Sequence, residues 1–336
     1  MKIALAYNSK SPPPTHHSRS GSDWNLEFDD RETIEAVARA LSRLGEVVLI
    51  EALPGCRREF EHHRPELVFN IAEGFEGPER EAEIPLLLEE LGIPYTGSGP
   101  ETLLLCLDKH RTAVFLSERG VAVPWGEAFP PGDKVEWPGP FPAIVKPLRE
   151  GSSKGIRDDC LVRDMKALAK KVSLISRRYR QPALVEEFLE GREFTIALVG
   201  NDGDLEVLPP VEIDHKALPA GAQPIYSYEA KWVWDRPESP LPIFLCPAQV
   251  EPELERELKG TAEQAFRLTG CRDWARIDLR LDKEGNPRIL EINPLPGILP
   301  RPEENSCFPK AARAAGLSYE ELIVRVVVAA RTRYRI

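Results

Sequence analysis

Three side chains with oxygen ligands lie near one another toward the C-terminal end of the sequence, at Asp278, Glu291 and Asn293. Glu291 and Asn293 are two residues apart, so in a strand they point to the same face. Hard oxygen ligands of this kind suit Mg²⁺, which usually keeps water or phosphate oxygens as further ligands. Arg276 adds a positive charge beside the first carboxylate, where a phosphoryl group could bind. The pattern predicts a metal and phosphate site, with a polar-faced surface hairpin as the alternative.

A lysine and a glycine-containing segment in the middle of the chain predict a second phosphate contact. Lys146 ends an apolar run, and segment 150–155 (EGSSKG) offers backbone amides and the hydroxyls of Ser152 and Ser153. A lysine at a strand end binds phosphate as a point charge, and consecutive amides can surround phosphate oxygens. The segment lacks the P-loop spacing, so a solvated lysine and a plain turn remain alternatives for these residues taken alone.

Carboxylates stand at the ends of two further predicted strands. Glu186 and Glu187 follow the apolar residues 183–185, and Glu193 precedes the alternating run 194–199. Carboxylates at such edges can accept hydrogen bonds from ribose hydroxyls or an adenine amino group. Simple solvation at the surface is the alternative.

The composition argues against several classes of protein. The 336 residues are 42% hydrophobic and 29% charged, which is typical of a globular protein of two or three domains. The net charge of −10 disfavours non-specific nucleic-acid binding. The six cysteines form no C-x-x-C pair, and the apolar runs are too short for a signal peptide or a membrane span. We therefore expect a cytoplasmic protein that binds neither nucleic acid nor membranes.

Alternating strands and helices are expected to position the candidate residues. Over the first hundred residues the pattern predicts strands at 2–7, 47–50 and 67–71 and helices at 30–44 and 81–91. This alternation favours a mostly parallel sheet with helices on its faces. Further along, it predicts helices at 102–120, 164–176, 251–269 and 318–332, strands at 141–147, 182–189 and 193–199, a hairpin of 276–281 and 287–292, and loops at 9–25, 209–248 and 295–309.

Taken in order, the motifs resemble the ATP-grasp superfamily and, within it, the D-alanine–D-alanine ligases, over residues 67–325. The matching segments are 93–99 (IPYTGSG), 107–109 (LDK), 145–147 (VKP), 150–155 (EGSSKG), 185–195 (VEEFLEGREFT), 226–231 (YSYEAK), 276–278 (RID) and 290–297 (LEINPLPG). The resemblance implies an α/β fold, α+β in the ATP-grasp part, with three domains. These are an N-terminal parallel-sheet domain at 1–97, a central ATP-grasp subdomain at 98–185 and a C-terminal ATP-grasp subdomain with the metal site at 186–336.

The resemblance also implies a role for each matched residue. Nucleotide contacts are implied for Lys109, Lys146, Ser152, Ser153, Glu186, Glu187, Phe188, Leu189, Glu193 and Lys231, with the adenine at 186–189 and the ribose at Glu193. Two Mg²⁺ ions, with Mn²⁺ as an alternative, are implied at Asp278, Glu291 and Asn293. The implied catalytic residues are Arg276, Ser152 and Lys231.

The implied reaction joins a carboxylate and an amine at the cost of ATP. The carboxylate would attack the γ-phosphate to give an acyl phosphate, and the amine would then attack that intermediate. The lysines and metal ions would neutralise charge on the transferring phosphoryl group. The resemblance further implies a homodimer formed through the first domain and a role in peptidoglycan synthesis for the cell wall.

Departures from the family's motifs fall in the pocket for the first substrate. Segment 8–17 lacks the family's ammonium-binding glutamate, and Glu73 or Glu76 is a candidate replacement. Trp232 stands where the family has a tyrosine, and Lys154 stands where it has a valine. Substrate recognition is therefore expected to differ from that of the family.

The loop after the metal motif also departs from the family. It begins at Gly297 and is longer than the family pattern, with Ser306 as the nearest match to the substrate-binding serine. We therefore predict substrate contacts for Glu73, Trp232, Gly297 and Ser306.

Three functions remain open on these residues. The first is D-alanyl-D-alanine synthesis, and the second is a ligase for other amino acids or hydroxy acids in specialised metabolism. The third is a nucleotide-binding protein without ligase activity, which the complete set of Arg276, Asp278, Glu291 and Asn293 argues against.

Overall fold

Three sheets organise the computed structural model, which describes residues 1–10, 25–75, 77–236 and 238–336. The strands are β1 (Lys2–Tyr7), β2 (Glu46–Glu51), β3 (Leu67–Asn70), β4 (Gly126–Phe129), β5 (Ala143–Pro147), β6 (Leu161–Val162), β7 (Ala183–Glu187), β8 (Glu193–Val199), β9 (Glu206–Val207), β10 (Val211–Ile213), β11 (Phe244–Leu245), β12 (Trp274–Leu281) and β13 (Pro287–Asn293). The helices are α1 (Arg31–Ser42), α2 (Arg57–His63), α3 (Glu83–Leu91), α4 (Pro100–Leu107), α5 (Lys109–Ser117), α6 (Met165–Tyr179), α7 (Pro252–Thr269), α8 (Cys307–Ala314) and α9 (Tyr319–Tyr334).

The first sheet is parallel, in the order β2-β1-β3. Ile3 on β1 pairs with Val47 on one side and Leu67 on the other, and the middle of β1 is fully buried. A continuous apolar strand of this kind fits a sheet covered on both faces. The predicted N-terminal parallel sheet is confirmed.

The last helices pack against this first sheet rather than only against their own part of the chain. α9 contacts α1, and the fully buried Trp274 lies between the rings of Phe69 and Phe308 at centroid distances of 5.4 and 5.7 Å. The N-terminal sheet and the C-terminal helices therefore share one apolar core.

The second sheet has the order β4-β7-β5-β6 and packs against α6. Its strand β7 spans residues 183–187, so a domain boundary between 185 and 186 would fall within a strand that is hydrogen-bonded on both sides. The three-domain division at 97 and 185 stays a prediction.

The third sheet is antiparallel and has the order β11-β10-β8-β12-β13, with β9 also paired to β8. The predicted hairpin is confirmed as β12 and β13, and the Asp282 carboxylate accepts the backbone N–H groups of Glu284 and Asn286 in its turn. Within the described residues, no helix is long and apolar enough to cross a membrane.

The predicted helix 102–120 is wrong, because two helices, α4 and α5, meet at Asp108. Asp108 has an extended backbone, and its carboxylate accepts the N–H of Arg111 at 2.9 Å as the N-cap of α5. Side-chain capping of this kind competes with a continuous helix. The break places Lys109 in the first turn of α5.

Two predicted loops contain regular structure. The stretch 209–248 includes β10, β11 and the π-helical turn Ala230–Trp234, and α8 begins inside 295–309. Of the predicted loop 9–25, residues 11–24 lie outside the described part of the chain, as does Glu76.

Candidate active site

A cavity of about 510 Å³ opens between the second and third sheets. All the residues predicted to bind nucleotide, metal or substrate line this cavity except Asn293 and Glu73. The strand ends of two sheets and the glycine-containing segment therefore converge on one space, as the motif order predicted.

The hairpin brings the predicted metal ligands together. Asp278 lies opposite Glu291, and the pairing shifts at a β-bulge immediately after Asp278, a feature common beside active sites. Arg276 donates two hydrogen bonds to Asp278, at 3.0 and 2.9 Å, and the hydroxyl of Thr195 donates a third at 2.6 Å. Asn293 Nδ2 donates to the same carboxylate at 3.2 Å, so every predicted ligand in the hairpin is close to Asp278 or opposite it.

Glu291 has its own cationic partner. The ammonium of Lys109 lies 2.8 Å from Glu291 Oε1 and donates to the carbonyl of Glu150 at 2.6 Å. Burial is the largest single influence and would lower the pKa of Lys109 and raise that of Glu291, but the partner's charge, the hydrogen bond between the two groups and the charges of further neighbours together outweigh it. The pKa of Lys109 is therefore raised and that of Glu291 lowered, so both groups stay charged.

The donor set fits a magnesium ion that completes its shell with phosphate. Within the described residues, no group of three His, Cys, Asp or Glu side chains is placed to hold a metal on its own. Asp278 and Glu291 lie opposite each other and supply two carboxylates, and the side chain of Asn293, whose Nδ2 faces Asp278, also carries an amide oxygen. Mg²⁺ characteristically binds one or two carboxylates together with substrate phosphates, so the hairpin suits an ion that arrives with a nucleotide.

A second ion pair lies where the sequence predicts the adenine end. Lys146 Nζ is 2.5 Å from Glu186 Oε2, and both side chains are buried. Gly126 lies opposite Glu186, and a Cβ on Gly126 would stand 2.8 Å from the Glu186 Cγ. Glu187 Oε1 accepts the backbone N–H of Trp125 at 2.9 Å. The side chains of both hinge glutamates are thus already engaged within the protein.

The segment 150–155 has an unusual backbone. Ser152 and Ser153 have φ values of 51° and 58°, in the left-handed region that residues other than glycine rarely adopt. Strain of this kind clusters at ligand-binding segments. Ser153 Oγ donates to the carbonyl of Tyr226 at 2.8 Å, and the Trp232 indole N–H donates to the carbonyl of Ser152 at 3.0 Å. Segment 226–232 is therefore held down on 150–155.

Lys231 reaches the same segment from the other side. Its ammonium lies 3.3 Å from Ser152 Oγ. Burial, followed by the positive charge of Arg276, lowers the pKa of Lys231 to about 8. An anionic ligand between Lys231 and Arg276 would relieve that repulsion, which makes this point of the cavity suited to a phosphate.

The predicted substrate residues are not all in one place. The hydroxyl of Ser306 donates to the carbonyl of Gly297 at 3.1 Å and accepts the N–H of Leu299 at 3.2 Å, so it bridges the loop. Glu73 lies outside the cavity lining, and burial together with the charges of Glu81 and Glu27 raises its pKa. The substrate roles of Glu73, Gly297, Ser306 and Trp232 stay predictions.

Three residues that contact the site had escaped the sequence analysis. Glu27 lines the cavity and accepts the N–H of Gly151 at 2.8 Å and a bond from Arg80 at 3.0 Å. Arg280 and His215 both contact Glu193. Arg280 lies two residues after Asp278, so strand alternation could have found it. Glu27 and His215 belong to no motif.

Comparisons with known proteins agree with the motifs. A family model for the D-ala D-ala ligase C-terminus matches residues 133–328, more than half of the chain. A D-alanine–D-alanine ligase of Cupriavidus necator is 36% identical over 247 residues, which cover 73% of this chain and 70% of that protein. The uncharacterised protein y4sG of Sinorhizobium fredii is 36% identical over 309 residues, which cover 89% of this chain and 88% of that protein.

The fold has a counterpart among solved structures. The D-alanine–D-alanine ligase of Bacillus anthracis, complexed with ATP, has a TM-score of 0.74 with this chain at 19% identity, covering 100% of this chain and 99% of the other. This likeness confirms the predicted ATP-grasp fold class with an N-terminal parallel sheet. The chain therefore belongs to the D-alanine–D-alanine ligase family and is an ATP-grasp ligase.

Proposed function

We propose that this protein joins two amino acids in an ATP-dependent reaction that passes through an acyl phosphate, with D-alanine as both substrates. The observation that carries the proposal is the convergence of Lys109, Lys146, Lys231 and Arg276 with the Asp278–Glu291 pair in one cavity. The name of the Cupriavidus necator relative supports D-alanine as the substrate.

The nucleotide would lie along the second sheet and the hairpin. Residues 186–189 would contact the adenine, Glu193 the ribose, and Lys109 and Lys146 the phosphates, with Ser152 and Ser153 closing over them. Each lysine is paired with a buried or half-buried carboxylate, so phosphate binding exchanges one anionic partner for another. Such exchange limits the cost of desolvating the lysines again.

Asp278, Glu291 and Asn293 would hold two Mg²⁺ ions, or two Mn²⁺ ions in their place. When bound, the ions would neutralise phosphate charge during transfer of the phosphoryl group. Arg276 pairs with Asp278 and Lys109 pairs with Glu291, and these cations offset the repulsion between two carboxylates that lie opposite each other across the hairpin.

The chain's own residues would then act in two steps. In the first, a substrate carboxylate oxygen attacks the γ-phosphorus and ADP leaves, while Lys231 stabilises the charge on the phosphoryl oxygens. In the second, the amine of the other amino acid attacks the acyl carbon, Arg276 stabilises the tetrahedral oxyanion, and phosphate leaves. Segment 226–232, bound to 150–155, would keep water from the acyl phosphate.

A homodimer formed through the first sheet, a cytoplasmic location and a product used in peptidoglycan belong to the same proposal. A sizing measurement tests the dimer.

Release of ADP from Mg-ATP across a panel of D- and L-amino acids tests the proposed function. We expect release with D-alanine and accumulation of its dipeptide. Release of ADP only with another pair of substrates would show that D-alanine is not the substrate, while the proposed ligase activity would stand. ATP binding without release for any panel member would contradict ligase activity.

A further inference from the structure

Glu193, the predicted ribose ligand, is held in an asymmetric way. The His215 ring nitrogen Nε2 lies 3.0 Å from Glu193 Oε2, and Arg280 Nη1 lies 2.9 Å from the same oxygen. In the described part of the chain, neither partner bonds to Oε1. Both protein contacts therefore fall on one oxygen and leave the other as the acceptor for a ligand.

Glu193 and Arg280 lie on neighbouring strands, His215 begins the short turn that follows a third strand, and all three side chains are largely buried. Glu193 begins β8, where it pairs with Arg280 of β12 on one side and with Ile213 of β10 on the other, two residues before His215. The exposed fractions of the side chains are 12% for Glu193, 12% for His215 and 5% for Arg280. A buried carboxylate needs such partners to stay ionised.

The two partners also favour the ionised form of Glu193. Burial alone would raise the pKa of this carboxyl, but the hydrogen bond from His215 and the charge of Arg280 lower it. Glu193 is therefore an anion with fixed orientation, and an anion accepts hydrogen bonds from ribose hydroxyls more strongly than a neutral acid does.

The two partners are held by different numbers of contacts. His215 Nδ1 is buried and has no hydrogen-bond partner within the described residues, so the ring is held through Nε2 alone. Arg280 also donates through Nε to the carbonyl of Gly191 at 3.1 Å, and its guanidinium lies 4.4 Å from the Phe188 ring centroid. Arg280 thus joins Glu193 to the segment predicted to hold the adenine.

We propose that His215 and Arg280 are positioning residues for nucleotide binding, which saturate Glu193 Oε2 so that Oε1 accepts a ribose hydroxyl. The inference rests on the proposed nucleotide site and adds two residues that no motif of the chain contains. Neither residue need touch the nucleotide phosphates or the reacting carboxylate for this role.

The test compares substitutions that keep or remove the donor at Nε2. His215→Gln can place an amide N–H near the position of Nε2, whereas His215→Asn reaches only as far as Nδ1, and His215→Ala removes both. Arg280→Met keeps contact with Phe188 and removes the positive charge. Glu193→Ala removes the carboxylate itself and gives the reference value for complete loss of the contact with ribose. His63→Ala is the matched control, because His63 lies 3.6 Å from Glu59 on the exposed face of α2.

KM and kcat are measured for each variant with ATP. KM is also measured with 3′-deoxy-ATP and with 2′-deoxy-ATP, and each of these values is divided by KM for ATP to give a deoxynucleotide ratio. For His215→Ala, His215→Asn and Arg280→Met we expect KM for ATP to rise about 10- to 100-fold, with a smaller change in kcat. The deoxynucleotide ratio should fall toward the value of Glu193→Ala. His215→Gln should recover most of the affinity and of the ratio.

The ratio separates positioning from general damage. A role limited to folding would alter all nucleotides equally and leave the ratio at its wild-type value, and that result would overturn the proposal. The same KM for ATP and the same deoxynucleotide ratio in His215→Gln and His215→Asn would also overturn the proposal. If His215→Ala does not fold, the comparison of His215→Gln with His215→Asn is sufficient to test it. Failure of the wild type to bind ATP in calorimetry would instead reject the proposed function.

Discussion

The two ends of the cavity are built from different interactions. At the end where we propose that the nucleotide binds, called the nucleotide end, cations pair with carboxylates: Lys109 with Glu291 and Lys146 with Glu186. At the end where we propose that the amino acids bind, called the amino-acid end, the side chains of Trp232 and Ser306 bond to backbone carbonyls of neighbouring segments. The first end is an array of balanced charges, and the second is a set of segment-to-segment bonds.

Because of this difference, substitutions at the nucleotide end should affect phosphoryl transfer, and substitutions at the amino-acid end should affect how well the acyl phosphate is kept from water. Removing a charge at the nucleotide end leaves a buried partner uncompensated, which is costly in a low-dielectric site. Removing a bond at the amino-acid end loosens a segment and costs about 1 kcal/mol for a neutral hydrogen bond. Substitutions at the nucleotide end should therefore reduce activity much more than substitutions at the amino-acid end.

The largest effect is expected for Glu291→Gln. The substitution removes a predicted metal ligand and leaves the Lys109 ammonium without its carboxylate. Turnover should fall by at least about 10³-fold, the scale of several kcal/mol of lost charge stabilisation. ADP release at saturating Mg-ATP measures it, with Glu284→Gln in the exposed turn of the same hairpin as control. Turnover near the wild-type level would refute the metal assignment.

A smaller but pH-dependent effect is expected at Lys231. Its pKa of about 8 means that the ammonium is present below pH 8 and is lost as the pH rises through that value. The kcat/KM for ATP, which reports the free enzyme, should therefore fall above pH 8. Lys231→Met should lower kcat by about 100-fold at pH 7, since it removes one charge from the phosphoryl group.

Lys231→Arg isolates the charge from the rest of the side chain. Its guanidinium stays protonated at all pH values of interest, so the decline above pH 8 should disappear. A decline that persists unchanged in this variant would show that another group titrates.

The smallest effect is expected at the amino-acid end, for Trp232→Phe. The variant keeps an aromatic ring beside Lys231 and Lys10 but loses the N–H donated to Ser152. Loss of this hydrogen bond should cost about 1 kcal/mol, which corresponds to about a fivefold change in an equilibrium constant. Segment 226–232 should then close less tightly over the acyl phosphate. The ratio of ADP to dipeptide should rise above that of the wild type, while KM for ATP changes little. If the ratio of ADP to dipeptide is the same in the variant as in the wild type, Trp232 does not help to keep water from the acyl phosphate.

The same contrast explains what the sequence could predict. The nucleotide end lies on strands whose alternation and motifs place Lys146, Glu193, Asp278 and Glu291, and the structure brings them to one cavity. The hairpin and the parallel first sheet were likewise predictable from periodicity.

The features that escaped prediction are one local cap and two contacts between separate segments. Asp108 breaks a helix that apolar spacing made continuous, because its side chain caps the next turn. His215 reaches Glu193, and Glu27 reaches Gly151, only after three separate parts of the chain have packed together. No spacing rule relates residues 124 positions apart, as Glu27 and Gly151 are.

Transfer of oxygen from the carboxylate substrate to phosphate would show whether the reaction passes through an acyl phosphate. D-Alanine labelled with ¹⁸O in its carboxylate is incubated with Mg-ATP and the enzyme, and the released phosphate is analysed by mass spectrometry. Attack of the carboxylate on the γ-phosphate predicts one ¹⁸O atom in each phosphate, formed together with one dipeptide. Dipeptide formation with unlabelled phosphate would contradict an acyl phosphate and with it the assigned roles of Lys231 and Arg276.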